Sequence, residues 1–88
     1  MPWSLRVERS VTRKLRHLAP KDRRLILDAL TALERDPQQA ALQPLQHQPT
    51  GYRLRAGNWR LPADIYLELS LIVVSDLVRR TTTTYRER

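Results

Sequence analysis

The chain has 88 residues and a formal net charge of +7, with 16 Lys and Arg residues against 9 Asp and Glu residues. It contains no cysteine, which excludes a disulfide, an iron–sulfur cluster and a thiolate zinc site within the chain. No apolar run approaches the roughly 20 residues of a membrane span, and His17 and His47 lack the spacing of a metal site. We therefore predict one cytoplasmic domain over residues 1–88, without a metal or a membrane anchor, and with an anionic partner such as nucleic acid.

The N-terminal part of the chain is predicted to form a strand followed by two helices. Residues 3–7 alternate apolar and polar side chains, as in a half-buried strand. Apolar side chains then recur at helical spacing after Ser10, a predicted helix cap, and again over residues 21–35. Pro20 is well placed to open the second helix, and Asp36 ends it. Because only a couple of residues join the two helices, they are predicted to pack as an antiparallel hairpin.

Two segments of mixed pattern lie on either side of a predicted β-hairpin. Residues 38–50 are rich in Gln and contain two prolines, which predicts a loop with a turn of helix near residues 40–42. Residues 65–78 are apolar on both sides through their middle, which predicts a central strand covered by the helices on one face. Residues 79–88 are predicted to leave the sheet as a tail.

The β-hairpin is predicted from two alternating runs that meet at Gly57 and Asn58. These two residues can supply the positive φ angles that a two-residue hairpin turn needs. With them as the turn, the register of the two strands follows. It pairs Ala56 with Trp59, Arg55 with Arg60, Leu54 with Leu61, and Arg53 with Pro62.

The predicted hairpin has one apolar face and one arginine face, because side chains alternate across a strand. The apolar face carries Tyr52, Leu54, Ala56, Trp59 and Leu61. The arginine face, a name we keep for this surface, carries Arg53, Arg55 and Arg60. Like charges placed directly across a ladder destabilise it, so Arg55 opposite Arg60 favours a face that binds a polyanion. The alternative is an ordinary solvated sheet face, and Trp59 is interpreted as a core residue rather than a platform for stacking bases.

Four parts of the chain match the pattern of a known family, in the order strand, helix, helix, strand, strand, strand. They are residues 33–37 at the end of the helical hairpin, Pro44 and Leu45, residues 52–60, and the strand at residues 72–74 that runs to Arg79 and Tyr85. With these parts the chain resembles the RelE/ParE toxin superfamily of bacterial toxin–antitoxin systems. The resemblance implies an α+β fold in which the helical hairpin packs on one face of an antiparallel sheet of about four strands and leaves the basic face open.

The resemblance also implies a choice between two activities. RelE-like members of the superfamily cleave messenger RNA in the ribosomal A site, whereas ParE-like members inhibit DNA gyrase. The RelE-like branch is favoured because all five positions of its catalytic set hold a competent residue. These residues are Arg53 and Arg55 on the second strand of that family, Arg60 at the start of the third, Arg79 at the end of the fourth, and Tyr85 six residues later.

These residue types suit cleavage by the RNA's own 2′-hydroxyl, with no metal or other cofactor. The reaction needs a base, donors for the phosphorane oxygens and an acid for the departing 5′-oxygen. Arg53, Arg55 and Arg60 would be the donors. The resemblance implies that Tyr85 is the base, with arginines lowering its pKa from about 10, and that Arg79 is the acid or stabilises the leaving oxygen. The alternative for Tyr85 is a structural role, capping the core or lying exposed.

The implied partner is a cognate antitoxin, in a hetero-oligomer, whose acidic or amphipathic segment covers the basic face or displaces the C-terminal tail. Two alternative functions are a gyrase inhibitor of the ParE type without catalysis and a non-catalytic nucleic-acid-binding module. The chain departs from the family pattern at residues 61–64, where the third strand normally continues with β-branched residues and an aromatic. Pro62 cannot donate to a ladder, which predicts a third strand that is interrupted or bulged there, with either a displaced Arg60 or a weakened toxin as the result.

Overall fold

The computed structural model describes residues 3–45 and 51–80 of the chain. Its elements, in chain order, are β1 (Ser4–Val7), α1 (Arg9–Arg16), α2 (Pro20–Arg35), β2 (Leu42–Pro44), β3 (Gly51–Ala56), β4 (Trp59–Tyr66), a 3₁₀ turn (Leu67–Leu69), β5 (Leu71–Val74) and β6 (Val78–Arg79). The strands form one sheet in the order β1-β5-β4-β3-β2, and β6 pairs with β4 beyond the end of β5. The predicted α+β architecture is therefore confirmed.

The sheet differs from the predicted one in two respects. It has six strands in the described ranges rather than about four, and it is mixed, because β1 runs parallel to β5 while the other pairs are antiparallel. The predicted strand over residues 65–78 is divided among the end of β4, a 3₁₀ turn, β5 and β6. The polar residues Glu68 and Ser70 lie at this turn, and Ser70 closes it in the left-handed region with a φ of 49°.

The helical hairpin forms as predicted, and Pro20 opens α2. Ser10 is not the cap of α1, because the helix begins at Arg9 with Glu8 as its N-cap residue. The hydroxyl of Ser10 instead donates to the carbonyl oxygen of Ser75, at 3.2 Å. The guanidinium of Arg23 donates to two carbonyls near the end of α1 and so ties the helices together. Neither α1 nor α2 has the length and apolar character needed to cross a membrane.

The core lies between the helices and one face of the sheet. Its buried side chains come from α1, α2, β3, β4, β5 and the link after β5, and in the described residues no polar or charged residue is buried. They are Val11, Leu15, Ile26, Leu30, Leu33, Leu54, Ala56, Leu61, Ala63, Ile72, Val74 and Leu77. Burial of these side chains fixes which face of each strand points to the helices.

The segment after α2 forms a strand, β2, where the sequence predicted a loop with a helical turn. β2 pairs with β3 and places Pro44 opposite Tyr52 at the edge of the sheet. The amide of Leu45 donates to the carbonyl of Gly51, at 2.9 Å. Because successive amides along a strand point in opposite directions, the nitrogen of Pro44 faces away from β3, where no ladder donor is needed.

The predicted break of the third strand at Pro62 is wrong, since β4 runs without interruption from Trp59 to Tyr66. The carbonyl of Pro62 accepts from the amide of Ser75 at 2.9 Å, which places the polar edge of Pro62 on the side of β5 and β6. On this side of β4 there is a gap between the two neighbouring strands, because β5 ends at Val74 and β6 begins at Val78. The missing N–H of the proline therefore falls at a gap, and Arg60 is not displaced from its position opposite Arg55.

Candidate nucleic-acid interface

The hairpin of β3 and β4 has the register that the sequence predicted, from Ala56 opposite Trp59 onwards. Its turn uses one positive φ angle rather than two, at Gly57, where φ is 62°. A positive φ at the first central residue is the pattern of a type II′ turn. A Cβ atom at Gly57 would lie 2.6 Å from Cδ2 of Leu25, so α2 contacts the turn directly and holds the hairpin against the helical layer.

The three arginines of the hairpin lie on the side of the sheet that the helices leave uncovered. Arg53 and Arg55 are exposed and Arg60 is half-buried. Their neighbours Leu54 and Leu61, on the opposite face, are 1% and 0% exposed. The arginine face is therefore formed by the described hairpin, as predicted, with Arg55 directly opposite Arg60.

Arg60 is held at the turn end of this face. One terminal nitrogen of its guanidinium donates to the carbonyl oxygens of Gly57, at 2.8 Å, and of Trp59, at 2.9 Å. These bonds use one nitrogen of the guanidinium and fix the position of the group beside the turn. A preorganised cation costs less conformational entropy when it binds an anion than a freely rotating one.

One carboxylate shares the open side of the sheet. Asp64 and Arg60 are an even number of residues apart in β4, so they face the same side of the sheet. In the β4–β5 pairing Asp64 lies opposite Val73. Asp64 is four positions from Arg60 along β4, a span of about 13 Å. Two of the hairpin's three arginines, Arg55 and Arg60, lie nearest the turn, and a bound phosphate is expected there rather than beside Asp64.

Solved structures match this fold, although no protein-family model matches the chain and no curated protein matches its sequence. An archaeal RelE–RelB complex from Pyrococcus horikoshii OT3 aligns with a TM-score of 0.79 at 21% identity, over 93% of this chain and 99% of that chain. The toxin–antitoxin complex RelBE2 from Mycobacterium tuberculosis aligns with a TM-score of 0.76 at 23% identity, over 91% and 100%. The isolated E. coli RelE toxin aligns with a TM-score of 0.74 at 20% identity, over 97% and 93%.

This chain has a RelE-like toxin fold. Within the RelE-like fold, Arg79 does not join the arginine face. Its partner in the β4–β6 register is Trp59, whose side chain packs against the core as interpreted from the sequence. The guanidinium carbon of Arg79 lies 5.7 Å from the centre of the Trp59 ring, within the range of a cation–π contact. Val78, rather than Arg79, lies opposite Arg60.

Arg80, rather than Arg79, faces the open side of the sheet, because successive side chains alternate across a strand. Its amide donates to the carbonyl of Asn58 at 2.7 Å, which keeps the backbone paired beside the turn. Arg79 and Arg80 are adjacent, and spacing to Tyr85 favoured Arg79 in the sequence. The register between β4 and β6 is what distinguishes them, and no local pattern in the sequence contains it.

The remaining predicted site residue, Tyr85, lies outside the described residues. Of the five predicted positions, the RelE-like fold of this chain brings together Arg53, Arg55 and Arg60. Over residues 3–45 and 51–80, no three His, Cys, Asp or Glu side chains form a group that could hold a metal ion. The chemistry available on the described face is multidentate binding of an anionic oxygen group by guanidinium donors.

Proposed function

We propose that this chain is the toxin of a bacterial type II toxin–antitoxin pair and that it cleaves messenger RNA in the ribosomal A site. The observation that carries the proposal is the arginine face. Two arginines oppose each other across the ladder and a third is exposed beside them, on the uncovered side of a RelE-like sheet. Several of the similar structures are RelE toxins bound to RelB antitoxins, which supports a toxin with a protein partner.

In the proposed reaction the 2′-oxygen of a ribose attacks the adjacent phosphorus as its proton is removed. A bond forms between the 2′-oxygen and phosphorus, and the bond to the 5′-oxygen breaks. The products are a 2′,3′-cyclic phosphate and a free 5′-hydroxyl. Arg53, Arg55 and Arg60 stabilise the additional negative charge on the non-bridging oxygens in the transition state. Arg60 is suited to this role because its guanidinium is already fixed.

The proton transfers are assigned by the resemblance and remain proposals. Tyr85 removes the proton of the 2′-hydroxyl, which requires the positive charge of the arginine face to lower its phenol pKa from about 10. Arg79 was assigned to the leaving 5′-oxygen. Arg80 is the better placed of the two to stabilise that oxygen, because the register puts Arg79 beside Trp59 on the other side.

The proposed partner is an antitoxin with an acidic or amphipathic segment, and the pair forms a hetero-oligomer in the cytoplasm. An acidic segment would neutralise the arginine face and exclude RNA from it. This follows from charge complementarity, since the chain carries a net charge of +7.

The test is expression in bacteria with mapping of transcript ends, followed by cleavage with purified ribosomes. Wild-type chain is expected to arrest growth and to produce breaks within translated codons. Arg55→Ala and Arg60→Ala are each expected to slow cleavage about 10²- to 10³-fold, the usual loss when one donor to a developing oxyanion is removed. Arg35→Ala is the matched control, because Arg35 is also exposed but ends α2. Unchanged cleavage by both face variants would refute the proposal.

A second function is favoured by one observation. Arg79 lies beside Trp59, so the residue that the resemblance assigns to the leaving 5′-oxygen does not share the arginine face. A gyrase inhibitor of the ParE type needs no group for a leaving oxygen. A DNA-damage response without breaks in transcripts would indicate this function, and RNA binding without growth arrest would indicate a non-catalytic module.

A further inference from the structure

A second basic surface lies on helix α1, apart from the arginine face. It is a cleft of about 510 Å³ lined by Val7, Arg9, Thr12, Arg13 and Arg16, and we call it the α1 cleft. The spacing of its arginines is i, i+4 and i+7, which places them on one side of the helix. All three are exposed. Over residues 3–45 and 51–80, none of the three forms an ion pair, whereas Lys14 of the same helix does so with Asp76.

Arg13 and Arg16 lie in the last turn of α1, where a cation suits the helix dipole, whereas Arg9 is placed less favourably. Arg9 lies in the first turn of α1, which contains no acidic residue, and a cation there opposes the helix dipole. Arg9 and Arg13 are like charges at i and i+4, an arrangement that destabilises a helix by a few tenths of a kcal/mol. α1 has only 8 residues, a length at which isolated helices are marginal. An anion in the cleft would remove both penalties.

The composition of the α1 cleft favours phosphate over an acidic protein segment. Arginine guanidiniums and a threonine hydroxyl are the groups that contact phosphate oxygens in nucleic-acid complexes. Protein interfaces, in contrast, have an apolar centre, and Val7 is the one aliphatic side chain in this lining. A second cleft, on α2, has the other character, because exposed Leu27 lies there between basic residues and Asp28.

We propose that the α1 cleft binds the phosphate backbone of structured RNA, as a second contact separate from the arginine face. Arg9 and Arg13 are about 6 Å apart along the helix axis, and Arg9 and Arg16 about 10 Å. This span lets the cleft contact two or three phosphates of one strand. The choice of RNA as the polyanion rests on the proposed function. In that function the α1 cleft would position the toxin on ribosomal RNA while the arginine face acts on messenger RNA.

The test is the salt dependence of binding to a fluorescein-labelled RNA hairpin, measured with the full chain by anisotropy. Arg9→Gln, Arg13→Gln and Arg16→Gln are combined in one variant. Loss of two or three phosphate contacts is expected to reduce the slope of log K against log salt by about 1.5 to 2.5 and to weaken binding at least 10-fold at low salt. The matched control combines Lys21→Gln, Arg24→Gln and Arg35→Gln, which removes the same charge from exposed positions of α2. The control is expected to change the slope by less than 1.

Three outcomes decide the inference. Equal losses in the two triple variants would overturn it, because net charge alone would then explain binding. An α1 variant that loses affinity for poly-glutamate as strongly as for the RNA hairpin would also overturn it, in favour of an acidic protein. Thermal unfolding separates binding from folding. Loss of the like-charge pair of Arg9 and Arg13 is offset by loss of two favourable last-turn cations, so the Tm of the α1 variant is expected to stay close to that of the wild-type chain. Failure of ribosomal cleavage by the wild-type chain would refute the proposed function and leave these binding comparisons valid.

Discussion

The two sides of strand β4 are paired in different ways. On one side it forms a regular ladder with β3, from Ala56 opposite Trp59 to Gly51 opposite Asp64, closed by a two-residue turn. On the other side it pairs with β5 and β6, which are separated by residues 75–77. The regular side presents the arginine face, and the broken side accommodates Pro62. The arginine face depends on one continuous ladder, while irregularity is confined to the other edge of the same strand.

The broken side is held by helix α1 instead of by a turn. Lys14 forms an ion pair with Asp76, at 2.8 Å, and donates to the carbonyl of Leu77 at 3.2 Å. The carboxylate of Asp76 also accepts from the amide of Leu77, and Ser10 donates to the carbonyl of Ser75. Tertiary contacts thus replace the local geometry that defines the hairpin, and the two sides should respond differently to substitution.

The largest effect is expected at the turn of the regular side. Gly57→Ala is expected to lower the free energy of unfolding by about 1 to 3 kcal/mol, because a residue with a side chain is strained at a φ of 62° and its Cβ would press on Leu25. Asn58→Ala is the matched control in the same turn, since Asn58 is not at positive φ, and its effect is expected to stay within about 0.5 kcal/mol. Urea denaturation measures both. Equal losses would show that the turn does not depend on Gly57.

A smaller and pH-dependent effect is expected on the broken side. The hydrogen bond from Lys14, followed by that from the Leu77 amide, lowers the pKa of Asp76 below its ordinary value. The stabilisation is therefore fully present above the ordinary Asp pKa of about 3.9 and is lost as the pH falls through the folded-state value. Because both side chains are about half exposed, the contribution is expected to be under about 1 kcal/mol.

The substitution Asp76→Asn tests this predicted loss of stability at low pH. Its free energy of unfolding at pH 7 is expected to fall by no more than about 1 kcal/mol. The variant and the wild-type chain are expected to converge as the pH falls through the lowered pKa of Asp76, where the wild-type carboxyl becomes protonated too. Lys14→Met should match Asp76→Asn at neutral pH if the pair acts as a unit. A difference that widens at low pH would contradict the assignment.

The smallest effect is expected at Pro62. Pro62→Val restores an N–H that faces Ser75, just past the end of β5, whose carbonyl already accepts from the hydroxyl of Ser10. The gain in strand propensity is offset by the greater entropy of the unfolded chain, so the net change is expected to be below about 1 kcal/mol. The RNA cleavage proposed for the arginine face is expected to be unchanged. Stabilisation by more than about 2 kcal/mol would show that the proline is a defect in the ladder rather than part of the break.

The same contrast explains which features could be predicted from the sequence. The register of the hairpin follows from the position of Gly57 and from strict alternation, so Arg53, Arg55 and Arg60 were placed on one face before the structure was known. Which face of the sheet Arg79 occupies depends on the number of residues between β5 and β6, and no local sequence pattern indicates that number. β2 was missed because Pro44 reads as a loop residue unless it is known to lie at an edge.

Leu77 divides the last described segment of the chain into two parts. It is 2% exposed and belongs to the core, whereas Val78, Arg79 and Arg80 after it are all exposed. In the described part of the chain beyond Leu77, β6 is held by backbone bonds to β4 and by the contact of Arg79 with Trp59, which at an exposed site is worth about 0.5 to 1 kcal/mol. We therefore expect β6 to separate from the sheet while the core remains folded. The amides of β6 should exchange with solvent through local opening, and those of β5 only through global unfolding.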